Sequence, residues 1–347
     1  MKNQKNNVRI DGQLCSQKYE MCGFKMTKNT IMKFCLLAIA CFGLLATNIA
    51  CVTNKSEEEK KISHLTSENT NGLKIDVQID GERYAQKQLD RYEHERTIQM
   101  LHQFKYLGVD IVDNGKSLSF FDINWLEPVD AKRISIDTRM KLGDEGFLNL
   151  FDDILMDSEK RWRSFSAVPI AEQGFQLAEV ILNVSGLKFE QLVPADKVDT
   201  NLEESNFAML SEDKCARLSV FPEHYIMGGS TVENFHGSVE TVGMFGGPIA
   251  LIPGEITPGI PDHIPIRFDP EYPIAFTAEV NFNSDGSPVN LGVVHAFRPT
   301  ENGFVQKSTL FLPNNAPKAL ADGHKLHFAI ELINDYIATY EKLGKSL

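Results

Sequence analysis

His327 and Glu331 stand four residues apart in the run HKLHFAIELINDY near the C-terminus. On a helix this spacing brings both side chains to one face. One rigid element could therefore offer an imidazole and a carboxylate to a single metal ion, and zinc accepts both. Many solvated helix faces carry an HxxxE pair, so its weight comes from its company. His324 lies one turn earlier. His324, His327, Glu331 and Asn334 then form a polar stripe beside the apolar stripe of Leu326, Ile330, Ile333 and Ile337. Six of the nine histidines fall between His224 and His327, which makes this part of the chain the place to look for further ligands.

A metal ion held in a cavity needs ligands from several elements. His224, in FPEHYIMGG, comes where a β-rich stretch begins, and Glu240, in GSVETVGMFGG, falls in an expected strand. Glu233 and Glu255 compete with Glu240 for the same role. His224, Glu240, His327 and Glu331 would give two imidazoles and two carboxylates, a set that suits zinc, with manganese or iron as alternatives. His295 shares a strand face with Leu291, Val293 and Phe297. Most histidines in such a wall are satisfied core residues, but one facing a cavity would have the near-neutral pKa that suits proton transfer. Tyr225 could donate a hydrogen bond to a phenolic or carbonyl oxygen, although tyrosines on strands mostly pack. Arg298 points to the opposite face. The chain has no GxSxG elbow, P-loop or HExxH motif.

The elements that must position these residues follow from patterning. From Leu218 to Leu312 the chain is rich in β-branched and aromatic residues, punctuated by Gly and Pro. Ile274, Phe276, Ala278, Val280 and Phe282 alternate with less apolar residues, the period of a half-buried strand. The turns SDG (284–286) and ENG (301–303) link that run to LGVVHAFR and then to FVQKSTLFL, an outward-reading strand. An antiparallel meander is the expectation. A last helix should start after Asn315, carry Pro317 in its first turn and stop at Gly344. Strands followed by a long terminal helix predict an α+β fold with a helix-grip, Bet v 1-like C-terminal domain over 216–347, enclosing a cavity between sheet and helix. Residues 73–215 read as helix-rich, with helices over Glu82–Leu107, Gly146–Phe165 and Gln173–Val184 and a short strand over Leu118–Trp125.

The first fifty residues are not fold. A basic, polar start leads into FCLLAIACFGLLA (34–46), too short to span a bilayer comfortably and laid out as a secretory signal. Translation could equally begin at Met26 or Met32. Cys51 closes the stretch after a small residue and resembles a bacterial lipoprotein cleavage site. The polar run 52–72 then reads as a tether. Export with a lipid anchor at Cys51, facing the periplasm or the cell surface, is the expected localisation, and that anchor is the expected membrane contact. Five of the six cysteines lie at or before Cys51, so Cys215 is expected to be an apolar filler with no disulfide in the exported domain. Beyond residue 51 the chain has 28 Lys/Arg against 45 Asp/Glu, a net −17. That charge argues against nucleic acid as a partner.

The stretch LGVVHAFRPTENGFVQKSTLFLP followed by ADGHKLHFAIELINDY resembles the 2,4-diacetylphloroglucinol hydrolase and phloretin hydrolase family. The resemblance covers about the last 130 residues, from PEHY onward, and its most specific part is the HxxxE helix. It implies a zinc-dependent enzyme that cleaves the C–C bond between an acyl group and a polyhydroxylated aromatic ring. The partner would then be a small phenolic ketone. Ligand roles for His327 and Glu331, and with less support for His224 and Glu240, follow from it, as does an acid role for His295. Two departures stand out: lipoproteins are not the family's usual form, and the middle glutamate lies closer to HxxxE here. A non-catalytic small-molecule-binding lipoprotein with the same cavity is the alternative. A metal-free enzyme using His295 and Tyr225 is a third.

Overall fold

The computed structural model describes residues 72–193, 213–228, 230, 232, 235, 237–243 and 248–344, the side chains of 252–255 excepted. The signal, the Cys51 anchor, most of the tether and Glu233 lie outside the described residues. So does the side chain of Glu255.

The strands are β1 (Lys74–Ile79), β2 (Glu82–Tyr84), a separate ribbon of β3 (Val112–Asp113) and β4 (Lys116–Ser117), β5 (Phe175–Ser185), β6 (His224–Ile226), β7 (Ser238–Thr241), β8 (Pro248–Pro258), β9 (Ile274–Phe282), β10 (Pro288–Thr300) and β11 (Gly303–Pro313). Nine of them make one antiparallel sheet in the order β2-β1-β5-β11-β10-β9-β8-β7-β6. The helices are α1 (Gln86–Tyr106), α2 (Phe120–Asn124), α3 (Pro128–Phe165), the single turns α4 (Ile170–Gln173) and α5 (Phe189–Leu192), α6 (Lys214–Ser219) and α7 (Lys318–Lys342). The fold is α+β, as expected, with the long C-terminal helix packed on the sheet. No helix among the described residues is long and apolar enough to cross a membrane.

The meander from β9 to β11 forms as its alternation and turns predict, with His295 paired to Phe276 on one side and Ser308 on the other. Three element assignments need correction. Residues 175–185 form a strand, not a helix: Ala178, Val180, Leu182 and Val184 alternate as buried positions. Gly174 (φ +74°) ends α4 just before it, and β1 and β11 hydrogen-bond to its two edges. Pairing on both sides overrides local helix propensity here. Residues 120–124 form a helix, not a strand, because Ser119 Oγ accepts from the Asp122 N–H at 3.0 Å and Asp122 accepts in return from the Ser119 N–H at 2.8 Å. That is a capping box. β11 does not face outward; it lies between β5 and β10 and is buried along almost its whole length. Cys215, expected as an apolar filler, sits half-buried on α6.

Two main apolar cores result. One lies between the sheet and α7, where Phe328, Ile330, Ile333 and Tyr336 meet Val180, Leu182, Phe297 and Phe304. The other joins α1 and α3 to the start of the β-rich half, through Phe104, Phe147 and Phe151 against Tyr225 and Val239. α3 begins earlier than its expected start at Gly146, and Gly143 (φ 67°, ψ 171°) breaks it into two straight parts. α7 starts after Pro317, two residues later than an Asn315 cap would give, and ends before Gly344 (φ +73°).

Candidate metal centre and adjoining cavity

Two local rules assemble the centre. His224 on β6 and Glu240 on β7 are direct cross-strand partners, so their side chains leave the sheet side by side. His327 and Glu331 are one helical turn apart on α7. Packing α7 against the sheet brings the pairs together. His224 Nε2 lies 3.0 Å from His327 Nε2 and 3.2 Å from Glu240 Oε2, and His327 Nε2 lies 3.4 Å from Glu331 Oε2. One donor atom each from His224, His327 and Glu331 falls within 4.8 Å of the others, so this group could hold a metal ion. Ligands at 2.0–2.1 Å on a tetrahedral ion stand about 3.3 Å apart. The three separations bracket that value, so this spacing of donors would suit a small four-coordinate cation.

Both imidazoles are buried, and the Nδ1 atoms have no hydrogen-bond partner. Neither ring has the outer hydrogen bond that usually orients a metal-binding histidine. Packing holds them instead: Phe221 lies 4.0 Å and His324 4.4 Å from His327 between ring centres. Burial pushes the His224 pKa down, but Glu240 and Glu331 outweigh it and raise it above the usual value. Burial and the neighbouring His224 drive His327 well below. Of the two rings, His224 is therefore the one that takes up a proton first as pH falls. Burial also raises Glu331, against the pull of His224. It acts in the same sense on Glu240, where the hydrogen bond to His224 wins and brings the pKa to about 2.

A cavity of about 270 Å³ adjoins the centre, between α7 and strands β8–β11. Its lining is mainly apolar, with Phe276, Leu291, Phe297 and Phe328 among the walls, and Glu240, His324 and Glu331 reach it from the metal side. His295 lines it from β10. Burial lowers the His295 pKa to about 4, so the ring is neutral at neutral pH, unlike the near-neutral group expected. Tyr225 lies elsewhere. It packs between Phe104, Phe147 and Phe151 in the second core and donates to Gln103 Oε1 at 2.7 Å. Arg298 stays on the outer face beside Tyr272.

The helical N-terminal part supplies what the sequence left unexplained: it grips the residues around His224. Arg96 of α1 forms a buried ion pair with Glu223, one contact being 2.9 Å from Nε to Oε2. Arg139 of α3 is buried and, among the described residues, hydrogen-bonds to no carboxylate. It donates to the backbone carbonyls of His224 (2.7 Å), Leu218 (2.8 Å) and Phe221 (3.2 Å). Burial lowers its pKa to about 9. The polar stripe of α7 divides: His324, His327 and Glu331 serve the site, whereas Asn334 donates to Glu93 Oε1 and Val220 O. His324 Nδ1 accepts from the Gly243 N–H at 3.3 Å. Comparison with protein-family models and with curated proteins found no match.

Proposed function

We propose that the protein is an exported, lipid-anchored hydrolase that uses zinc to cleave the C–C bond between an acyl group and a polyhydroxylated aromatic ring. We take its sheet and terminal helix to be a helix-grip arrangement. The observation that carries this reading is the shared wall: Glu240 and Glu331 belong to the His–carboxylate cluster and also line the apolar cavity. The cavity is sized for a small ring, and its aromatic and aliphatic walls would hold that ring flat and exclude bulk water.

Hydrolysis adds one water across the bond: a hydroxyl joins the acyl carbon to give a carboxylic acid, and a proton joins the ring carbon. Zinc held by His224, His327 and Glu331, with Glu240 beside them, would supply a Lewis acid for the acyl oxygen or a more acidic water. The chain's own residues bind, orient and shield. His295 is neutral, so its part is a hydrogen bond to a ring oxygen on which charge develops, not the gift of a proton from a cation.

The test is metal content and turnover in the same sample. About one zinc per chain, lost in His327→Ala together with release of acid from an acylphloroglucinol, supports the hydrolase. Zinc-independent binding of phenolic ketones, unchanged in His327→Ala and without turnover, would establish the non-catalytic binding lipoprotein instead.

A further inference from the structure

The wall behind His295 is polar. β11 places Gln306 and Ser308 two residues apart, hence on one face of the strand, and Ser308 is the direct cross-strand partner of His295. Gln306, Ser308 and Tyr336 are all buried. Gln306 Nε2 lies 3.1 Å from His295 Nδ1 and 2.9 Å from Ser308 Oγ, and His295 Nδ1 lies 2.8 Å from Ser308 Oγ. The Tyr336 hydroxyl, from α7, hydrogen-bonds to Gln306 Oε1. A buried polar chain of this kind costs free energy unless every proton finds an acceptor, and that requirement fixes where the protons go.

A buried phenol carries one proton and must place it on an acceptor. Here that acceptor is the amide oxygen of Gln306, so the amide NH2 faces His295 and Ser308. An NH2 group can only donate. An Nδ1–H would face the amide protons 3.1 Å away, so Nδ1 presents a lone pair to Gln306 and to the Ser308 hydroxyl, which accepts from Gln306 and donates to Nδ1, and the single proton of the neutral ring resides on Nε2. Nδ1 is committed to the wall, which leaves Nε2 as the nitrogen the ring can offer to a ligand.

We infer that Gln306 is a positioning residue which, oriented by Tyr336, fixes His295 as its Nε2–H tautomer and makes it a hydrogen-bond donor to the cavity's occupant. This rests on the reading of the cavity as a substrate site, and it narrows the substrate class. The occupant places an acceptor, a carbonyl or phenolate oxygen, against His295. Ligands that offer only a donor there leave two protons facing each other.

Long-range 1H–15N correlation on 15N-histidine-labelled protein reads the tautomer directly, with His295→Asn identifying the resonance. The expected pattern is Nε2 protonated and Nδ1 bare. Gln306→Glu replaces the NH2 with an acceptor and should reverse the tautomer, lowering kcat at least about 100-fold with little change in KM. Tyr336→Phe frees the amide to turn and should give a mixture of tautomers, an independent readout should the buried charge of Gln306→Glu prevent folding. An Nδ1–H pattern in the wild type overturns the inference, as does an unchanged Nε2–H pattern in folded Gln306→Glu or in Tyr336→Phe. The spectrum needs neither metal nor turnover, so failure of the hydrolase reading would show separately, as absent zinc.

Discussion

His224 and His327 meet Nε2 to Nε2 at 3.0 Å although 103 residues separate them in the chain. A short strand aims one ring and a helix the other, and a carboxylate stands next to each. Two lone pairs brought this close need something between them. In the metal-free protein a proton can take that place, and His224 is the ring whose pKa is raised to hold it.

Zinc must displace that proton. Because the His224 pKa is raised, the metal-free protein carries the proton below that pKa, and zinc affinity should climb with pH until the pKa is passed. Calorimetry in buffers of differing ionisation enthalpy should show protons released on zinc binding, more below the His224 pKa than above it. At a free zinc concentration 100 times Kd, the protein should gain about 2.7 kcal/mol of stability. His327→Ala should abolish both effects. Equal zinc stabilisation of wild type and mutant would place the ion elsewhere.

Arg139 should matter to the centre without touching it. Arg139→Met leaves the carbonyls of Leu218, Phe221 and His224 without their donor. The expected loss is about 3 kcal/mol in urea denaturation, with weaker zinc binding as the His224 backbone loosens. A loss below about 1 kcal/mol would mean that the carbonyls find other partners.

His295 gives a signed pH dependence. Its folded pKa is about 4 against an ordinary 6.5, so between those values the unfolded chain binds a proton that the folded chain does not. Stability from this ring is complete above about pH 6.5 and is lost as pH falls through about 4, a swing of roughly 3 kcal/mol. His295→Asn keeps an acceptor toward Gln306 and should flatten the pH dependence of the urea midpoint across that window. An identical slope in the mutant would show that the ring is not buried in its neutral form.

Gly243 has no room for a side chain. Its φ is +69°, and a Cβ there would lie 2.5 Å from Leu320 O and 2.8 Å from Leu320 Cα, backbone atoms that cannot step aside. Gly243→Ala should push the loop off the first turn of α7, stretch the hydrogen bond to His324 and cost about 2 kcal/mol. Circular dichroism melts would register the loss, and the His324 resonance would shift with it.

The HxxxE pair was legible because helical period alone puts His327 and Glu331 together, and α7 is long enough to be certain of its period. His224 and Glu240 were legible as residue types, but their partnership depends on the β6–β7 register, which no spacing rule supplies. Gln306 and Ser308 left a trace: two polar residues at i and i+2 in an otherwise apolar run mark one face of a strand. That trace is easy to lose, because the same run also reads as a strand facing outward. β5 and α2 depart from their patterning because tertiary pairing decides the first and a serine cap the second. Arg96 and Arg139 look like any other charges on amphipathic helices until the chain from 218 to 224 is laid against them.

The open sheet ends in two unlike margins. β2, at one end, is three residues long and bears the exposed charges of Glu82 and Arg83. β6, at the other, is equally short and wholly buried, with α3 and α6 against it. A stranger's strand would find few amides at the first margin and two helices in its way at the second. A protein with nine strands in one sheet is thereby protected from growing by a tenth, and the strand that carries His224 is kept from exchanging partners.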